Sequence, residues 1–147
     1  MKVLIADDTN TDRLLLKLYL SKLGHHSIEA SNGMEAIEQY VLHENDIDLI
    51  LMDAQMPQLN GFEAVKRIRQ IEQERVLEWV PVIFLSASAE MEDMEKSISV
   101  GGDDYLIKPI QQKVLLAKTL TMQRIADIRR RLIALDAKLS EQTAIDS

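Results

Sequence analysis

Four short apolar runs stand out along the chain: Val3–Ala6, Leu49–Met52, Val82–Leu85 and Tyr105–Ile107. None alternates with polar residues, the pattern of strands covered on both faces. Ser27–Ala30 is a weaker fifth strand. Between the runs, apolar residues recur at helical spacing and predict core-facing stripes. They are Leu15, Leu18, Tyr19 and Leu23 in 14–23; Met34, Ile37 and Val41 in 34–42; Val65, Ile68 and Ile71 in 62–71; and Met91, Met94 and Ile98 in 91–100. Gly24 closes the first helix, Gly33 opens the second, and Gly101-Gly102 end the fourth. Strands alternating with helices make an α/β domain, a parallel sheet with helices on both faces. Right-handed crossovers bring the carboxyl end of every strand to one edge, where such sheets bind their ligands. Glu72–Trp79 is a charged connection of more than usual length, and Trp79 is expected to cap the core beneath it.

No Gly or Pro follows Pro109, so the rest of the chain reads as one helix. Its first part, from Val114 to about Leu120, packs on the sheet. Beyond it Ile125, Ile128, Leu132, Leu135 and Leu139 step by three and four, a heptad seam flanked by Arg129, Arg130, Arg131 and Lys138. The expected division is a body over residues 1–121 and a helical extension over 122–147. The extension pairs two protomers as a coiled coil leading to an output domain outside this chain, or folds back on its own body. The run Arg129–Arg131 is read as a solvated face.

Composition narrows the chemistry. The 147 residues suit one domain, and 46% are hydrophobic against 28% charged. Cysteine is absent, which excludes disulfides, thiolate nucleophiles and zinc–thiolate sites. No apolar run approaches the roughly 20 residues of a membrane helix, and the N-terminal apolar run is too short for a signal peptide. The expectation is a cytoplasmic protein with no membrane association. Net charge is −7, unevenly spread: residues 1–109 carry 10 Lys/Arg against 20 Asp/Glu, and residues 110–147 carry 7 against 4. A body this acidic does not bind nucleic acid non-specifically, because phosphates need clustered cations.

The strand ends hold the candidate chemistry. The first ends in Asp7-Asp8, the third in Asp53, the fourth in Ser86 and the fifth in Lys108-Pro109. Singly, each has an ordinary explanation as a helix cap or a turn residue. Together, three carboxylates at one edge repel one another, and a divalent cation resolves the repulsion. Hard oxygen ligands select Mg²⁺. With a metal and a lysine beside it, a carboxylate oxygen can attack a phosphoryl group.

In these strings the chain resembles the response-regulator receiver domain of two-component signalling, the CheY-like superfamily. They are Val3-Leu4-Ile5-Ala6-Asp7-Asp8, Leu51-Met52-Asp53-Ala54-Gln55-Met56-Pro57 with Asn60-Gly61, Leu85-Ser86-Ala87, and Gly102-Asp103-Asp104-Tyr105-Leu106-Ile107-Lys108-Pro109. The resemblance covers about residues 1–120 and implies a doubly wound five-stranded parallel sheet of order 2-1-3-4-5, the flavodoxin-like order. It implies Asp53 as the phosphoacceptor, with Asp8 and Asp53 ligating Mg²⁺ directly, Asp7 through a water, and the Gln55 carbonyl completing the set. Lys108 would pair with Asp53 and then with the phosphoryl group, and Ser86 would donate its hydroxyl to that group. Tyr105 would follow Ser86 as the aromatic switch, and the Lys108–Pro109 bond would be cis. The resemblance also implies that Gln55 and Ser88 stand at positions that would modulate hydrolysis of the acyl phosphate.

The implied partner is a sensor histidine kinase or a histidine phosphotransfer protein. A homodimer is expected through the C-terminal helix or the face of the fourth helix, fifth strand and fifth helix. The resemblance implies that the domain would catalyse only its own phosphorylation and dephosphorylation. Two other readings are a phosphohydrolase using an aspartyl-phosphate and an unphosphorylated interaction module of the same fold. Against the first, Gln55 stands two residues after Asp53, where such enzymes place a second acid, and no cap domain fits. Against the second, the chain keeps every acid and the lysine. Starting at Met1, the domain is expected at the N-terminus of its protein. Gly102, where alanine is more usual, is expected to loosen the turn before the fifth strand.

Overall fold

The computed structural model describes residues 1–146; Ser147, the last residue of the expected extension, lies outside them. Elements alternate from the start: β1 (Lys2–Ala6), α1 (Asn10–Lys22), β2 (His26–Ala30), α2 (Gly33–Leu42), β3 (Leu49–Asp53), α3 (Gly61–Glu74), β4 (Val82–Ser86), α4 (Met91–Ser99), β5 (Asp104–Ile107) and α5 (Gln112–Asp146). The strands form one parallel sheet in the order β2-β1-β3-β4-β5. Every residue of β3 and β4 is buried, which is why these runs carry no alternation. One apolar cluster, with Leu4, Ile50 and Phe84, lies under α2 and α3. The other, with Ile5, Leu51 and Leu85, receives Leu16 and Leu20 of α1 and Leu115 and Met122 of α5. No helix among the described residues is long and apolar enough to cross a membrane.

Helix identities follow the sequence pattern better than helix faces do. In α1 the buried residues are Leu16 and Leu20, while Leu15 and Leu18, expected in the core, are exposed. The run Leu14-Leu15-Leu16 offers three faces of similar apolarity, and contact with β1 and β3 selects the one containing Leu16. In α2 the buried side chains are Ala36 and Tyr40, and Met34 is exposed. In α4 only Ser97 is fully buried, and Met91 and Ile98 are exposed at 68% and 59%, so the stripe read as core faces outward there.

The connection after α3 is organised by a buried cation. Arg69 donates to Glu72 at 2.8 Å and to the carbonyls of Val80 and Gly101, each at 2.8 Å. The ring of Trp79 lies 3.4 Å from the guanidinium carbon, and its Nε1 donates to Asp103. Trp79, half exposed, thus covers Arg69 rather than an apolar core. Glu72, read as loop, is a buried residue of α3.

The helix α5 is unbroken across residues 121 and 122, and its packing on the body continues through Met122 and Ala126. Arg129, expected in solvent, is only partly exposed and donates to the buried carboxylate of Asp48 at 3.4 Å, while Arg130 is exposed as expected and donates to the same carboxylate at 2.6 Å. The same carboxylate accepts the backbone N–H of Lys2 at 2.9 Å. Arg129 also reaches Glu78 at 3.1 Å and the Trp79 carbonyl at 3.0 Å. From Arg130 onward every described side chain is exposed.

Gly102 tightens its turn rather than loosening it. A Cβ there would lie 2.6 Å from the Phe84 ring and 2.7 Å from the Ser97 carbonyl. Gly102→Ala is expected to cost about 1–3 kcal/mol through overpacking, read as a lower midpoint in urea unfolding with unchanged slope.

Candidate phosphoacceptor and metal site

At the carboxyl edge of the sheet, β1 delivers Asp7 and Asp8, β3 delivers Asp53, and the segment after β5 delivers Lys108. Ser86 ends β4, one residue beyond the register partner of Asp53. A chain-local device fixes each carboxylate. The Thr9 N–H donates to Asp7 at 2.9 Å, and the Gln55 N–H donates to Asp53 at 3.1 Å. Behind Asp53, the N-terminus of α3 comes so close that a Cβ on Gly61 would fall 2.1 Å from the Asp53 carbonyl oxygen. Only glycine permits that approach, and Asn60 caps the helix by accepting the N–H of Glu63.

Lys108 unites the cluster. Its Nζ donates to Asp7 at 2.9 Å, to Asp53 at 3.1 Å and to Asp12 at 3.3 Å. An ammonium has three N–H bonds, so all are engaged. Burial works against its charge, but the bond to Asp7 and the charge of Asp53 outweigh it and hold its pKa above the usual lysine range. Burial pushes the Asp53 carboxyl up to about 6, helped by the charge of Asp7 and opposed by the Gln55 N–H and Lys108. Asp7 is fully buried, whereas Asp8 is exposed.

Oxygen atoms of Asp7, Asp8 and Asp53 lie within 4.8 Å of one another, a span that one cation can bridge. The set is all oxygen, and the acids outnumber the Lys108 ammonium bonded to them. These residues therefore fit a hard divalent ion such as Mg²⁺. Ser86 is buried, and its Oγ accepts the N–H of Ser88 at 3.1 Å. The Tyr105 hydroxyl donates to the Ser88 carbonyl at 2.7 Å, tying β5 to the loop after β4. The Lys108–Pro109 bond is cis.

Every residue singled out at the strand ends thus lies at one edge of the sheet. Asp12, which the strand-end reasoning missed, joins them from α1. Its position in the first turn of the helix following an acid pair is the signal that could have found it.

The family model described as "Response regulator receiver domain" matches residues 3–120. A "Chemotaxis protein CheY homolog" of Campylobacter jejuni is 33% identical over 119 residues, covering 80% of this chain and 88% of that protein. "Probable transcriptional regulator ycf27" of Cyanidium caldarium is 36% identical over 93% of this chain, which spans only 49% of that relative's length. Among solved structures, the Saccharomyces cerevisiae complex of the histidine phosphotransfer protein Ypd1 with the receiver domain of Ssk1 aligns with a TM-score of 0.75. Identity there is 32%, with 80% of this chain and 85% of that chain covered. With the acid edge and the sheet order described above, the chain belongs to the response regulator receiver family of two-component signalling.

Proposed function

We propose that this domain accepts a phosphoryl group on Asp53 from a phosphohistidine of a partner kinase or phosphotransfer protein. The observation that carries the reading is Lys108 Nζ held between Asp7 and Asp53. It places an ammonium where charge on a transferring phosphoryl group would gather. The Asp53 oxygen attacks phosphorus, the P–N bond to the donor imidazole breaks, and its electron pair leaves on nitrogen. Asp8 and Asp53 would hold Mg²⁺ directly, Asp7 through a water, and the Gln55 carbonyl would complete the protein ligands. Bound Mg²⁺ supplies neutralisation of charge on the phosphoryl oxygens.

Asp7 and the Gln55 N–H orient the acceptor's surroundings, and Ser86 donates its hydroxyl to the arriving group. Tyr105, already bonded to the loop after β4, follows that movement of Ser86. The partner meets this edge beside the exposed Leu14, Leu15 and Leu18 of α1. The Ypd1–Ssk1 complex supports a histidine phosphotransfer protein as one class of donor. The lack of cysteine suits a reducing, cytoplasmic compartment.

The output side of the reading is a homodimer. Ile125, Ile128, Leu132, Leu135 and Leu139 form an exposed heptad seam on α5. Ile98, Ile107 and Val114 expose further apolar surface on the face of α4, β5 and α5. The extension over residues 122–147 would carry the signal to an output domain.

Incubation with acetyl phosphate and Mg²⁺, followed by borohydride trapping and mass spectrometry, is expected to label Asp53; label on another residue overturns the assignment. Asp53→Asn is expected to abolish that label. The same variant is also expected to be more stable than the parent above pH 6, because ionising a carboxyl whose pKa is pushed up to about 6 opposes folding. The Asp53 contribution to stability falls as pH rises from about 4 to 6, so the advantage of Asp53→Asn vanishes below pH 4. Urea unfolding across that range checks the sign. Leu132→Asp combined with Leu135→Asp is expected to leave the chain monomeric in sedimentation while Asp53 still labels.

A further inference from the structure

Two faces run along α5. Leu115, Thr119, Met122 and Ala126 are buried against the body, and Arg129 continues that face through its bonds to Asp48, Glu78 and the Trp79 carbonyl. The other face is the seam of Ile125, Ile128, Leu132, Leu135 and Leu139, exposed at 41%, 55%, 62%, 56% and 66%. Successive helical residues are about 100° apart, so the seam lies beside the docked face rather than beneath it. The body therefore leaves the seam open to a second helix.

The charges flanking the seam are ordered. With Ile125, Leu132 and Leu139 at the a positions and Ile128 and Leu135 at d, the g row is Arg124, Arg131 and Lys138. The e row contains Arg129 and Asp136. In a parallel, in-register pair each g residue faces the e residue of the partner's next heptad. Arg131 then meets the partner's Asp136, twice by symmetry. Neither Arg131 nor Asp136 has an ion-pair partner among the described residues of its own chain. Of the two remaining contacts, Lys138 would face the partner's Thr143, which is neutral, and Arg124 would face the partner's Arg129. That repulsion is relieved at its source, because Arg129 is drawn onto Asp48 and Glu78 of its own body. An antiparallel pair would instead set the wholly basic g row against its own copy.

Resting on the reading of α5 as a dimer helix, we infer that its seam takes a second copy of this chain, parallel and in register. Arg131 and Asp136 select the orientation, and the Asp48–Glu78 clamp withdraws Arg129 from the interface. The body is thus part of the recognition device: it decides which charges the helix offers to its partner.

The test uses the full chain and a charge exchange. Arg131→Glu and Asp136→Arg singly place like charges across the seam. Each is expected to raise the dimer dissociation constant about tenfold, measured by sedimentation equilibrium. The double exchange is expected to return it to within about threefold of the parent. Because the parent has no cysteine, Ile125→Cys and Leu139→Cys, made separately, are each expected to close a disulfide with the same residue of the second copy under mild oxidation. Single exchanges without effect, or a double exchange no better than the singles, overturn the charge assignment. Disulfides that form only when the two cysteine variants are mixed show an antiparallel pair and overturn the orientation. A dimer unmoved by either exchange removes this inference and leaves the dimer reading standing; a monomeric parent removes both.

Discussion

The structure turns on one ammonium. Asp7, Asp12 and Asp53 come from β1, α1 and β3, and the same Nζ of Lys108 bonds to each. Asp7 and Asp53 are buried, and taking two carboxylates out of water side by side is costly unless opposite charge stands between them. The sheet order makes this possible: β1 and β3 are neighbours at its centre, and the segment after β5 returns toward them past the end of β4. Removing Lys108 would leave buried charge uncompensated, whereas a divalent cation would share its work. Burial keeps Asp53 reluctant to ionise, and the same burial strengthens any charge interaction made there.

Much of this was legible in the sequence. Strands buried on both faces print themselves as unbroken apolar runs, and all five candidate strands are present. The acids and the lysine were readable because they sit where those runs stop. Asp12 was not, since a polar residue in the first turn of a helix is ordinarily a surface residue. Faces of helices were harder than their existence. Leu14-Leu15-Leu16 contains no signal that prefers Leu16, and the choice is made by β1 and β3 from elsewhere in the chain. The outward-facing Met91 and Ile98 show the converse: helical spacing reveals a stripe, not what the stripe faces.

The opposite edge of the sheet was the least legible. Arg69 reads as one charge among many in α3, yet it is buried beneath Trp79 and bonds two carbonyls and two acids. Asp48 looks like an ordinary residue before a strand, yet it collects two arginines more than eighty positions away. Ion pairs over such separations have no periodicity for a sequence pattern to display. Gly102 belongs with them, since its need for hydrogen in place of a methyl group comes from the Phe84 ring, a partner on β4.

The long helix also acts as a lever. The helix is anchored to the body at Asp48, through Arg129 and Arg130, and runs on to Asp146. That overhang is about 25 Å at 1.5 Å per residue. A pivot of about 10° at the anchorage would swing the far end by about 4 Å, nearly the pitch of one helical turn. Small adjustments at the base of the sheet are thereby magnified at the tip, while the body itself need barely deform.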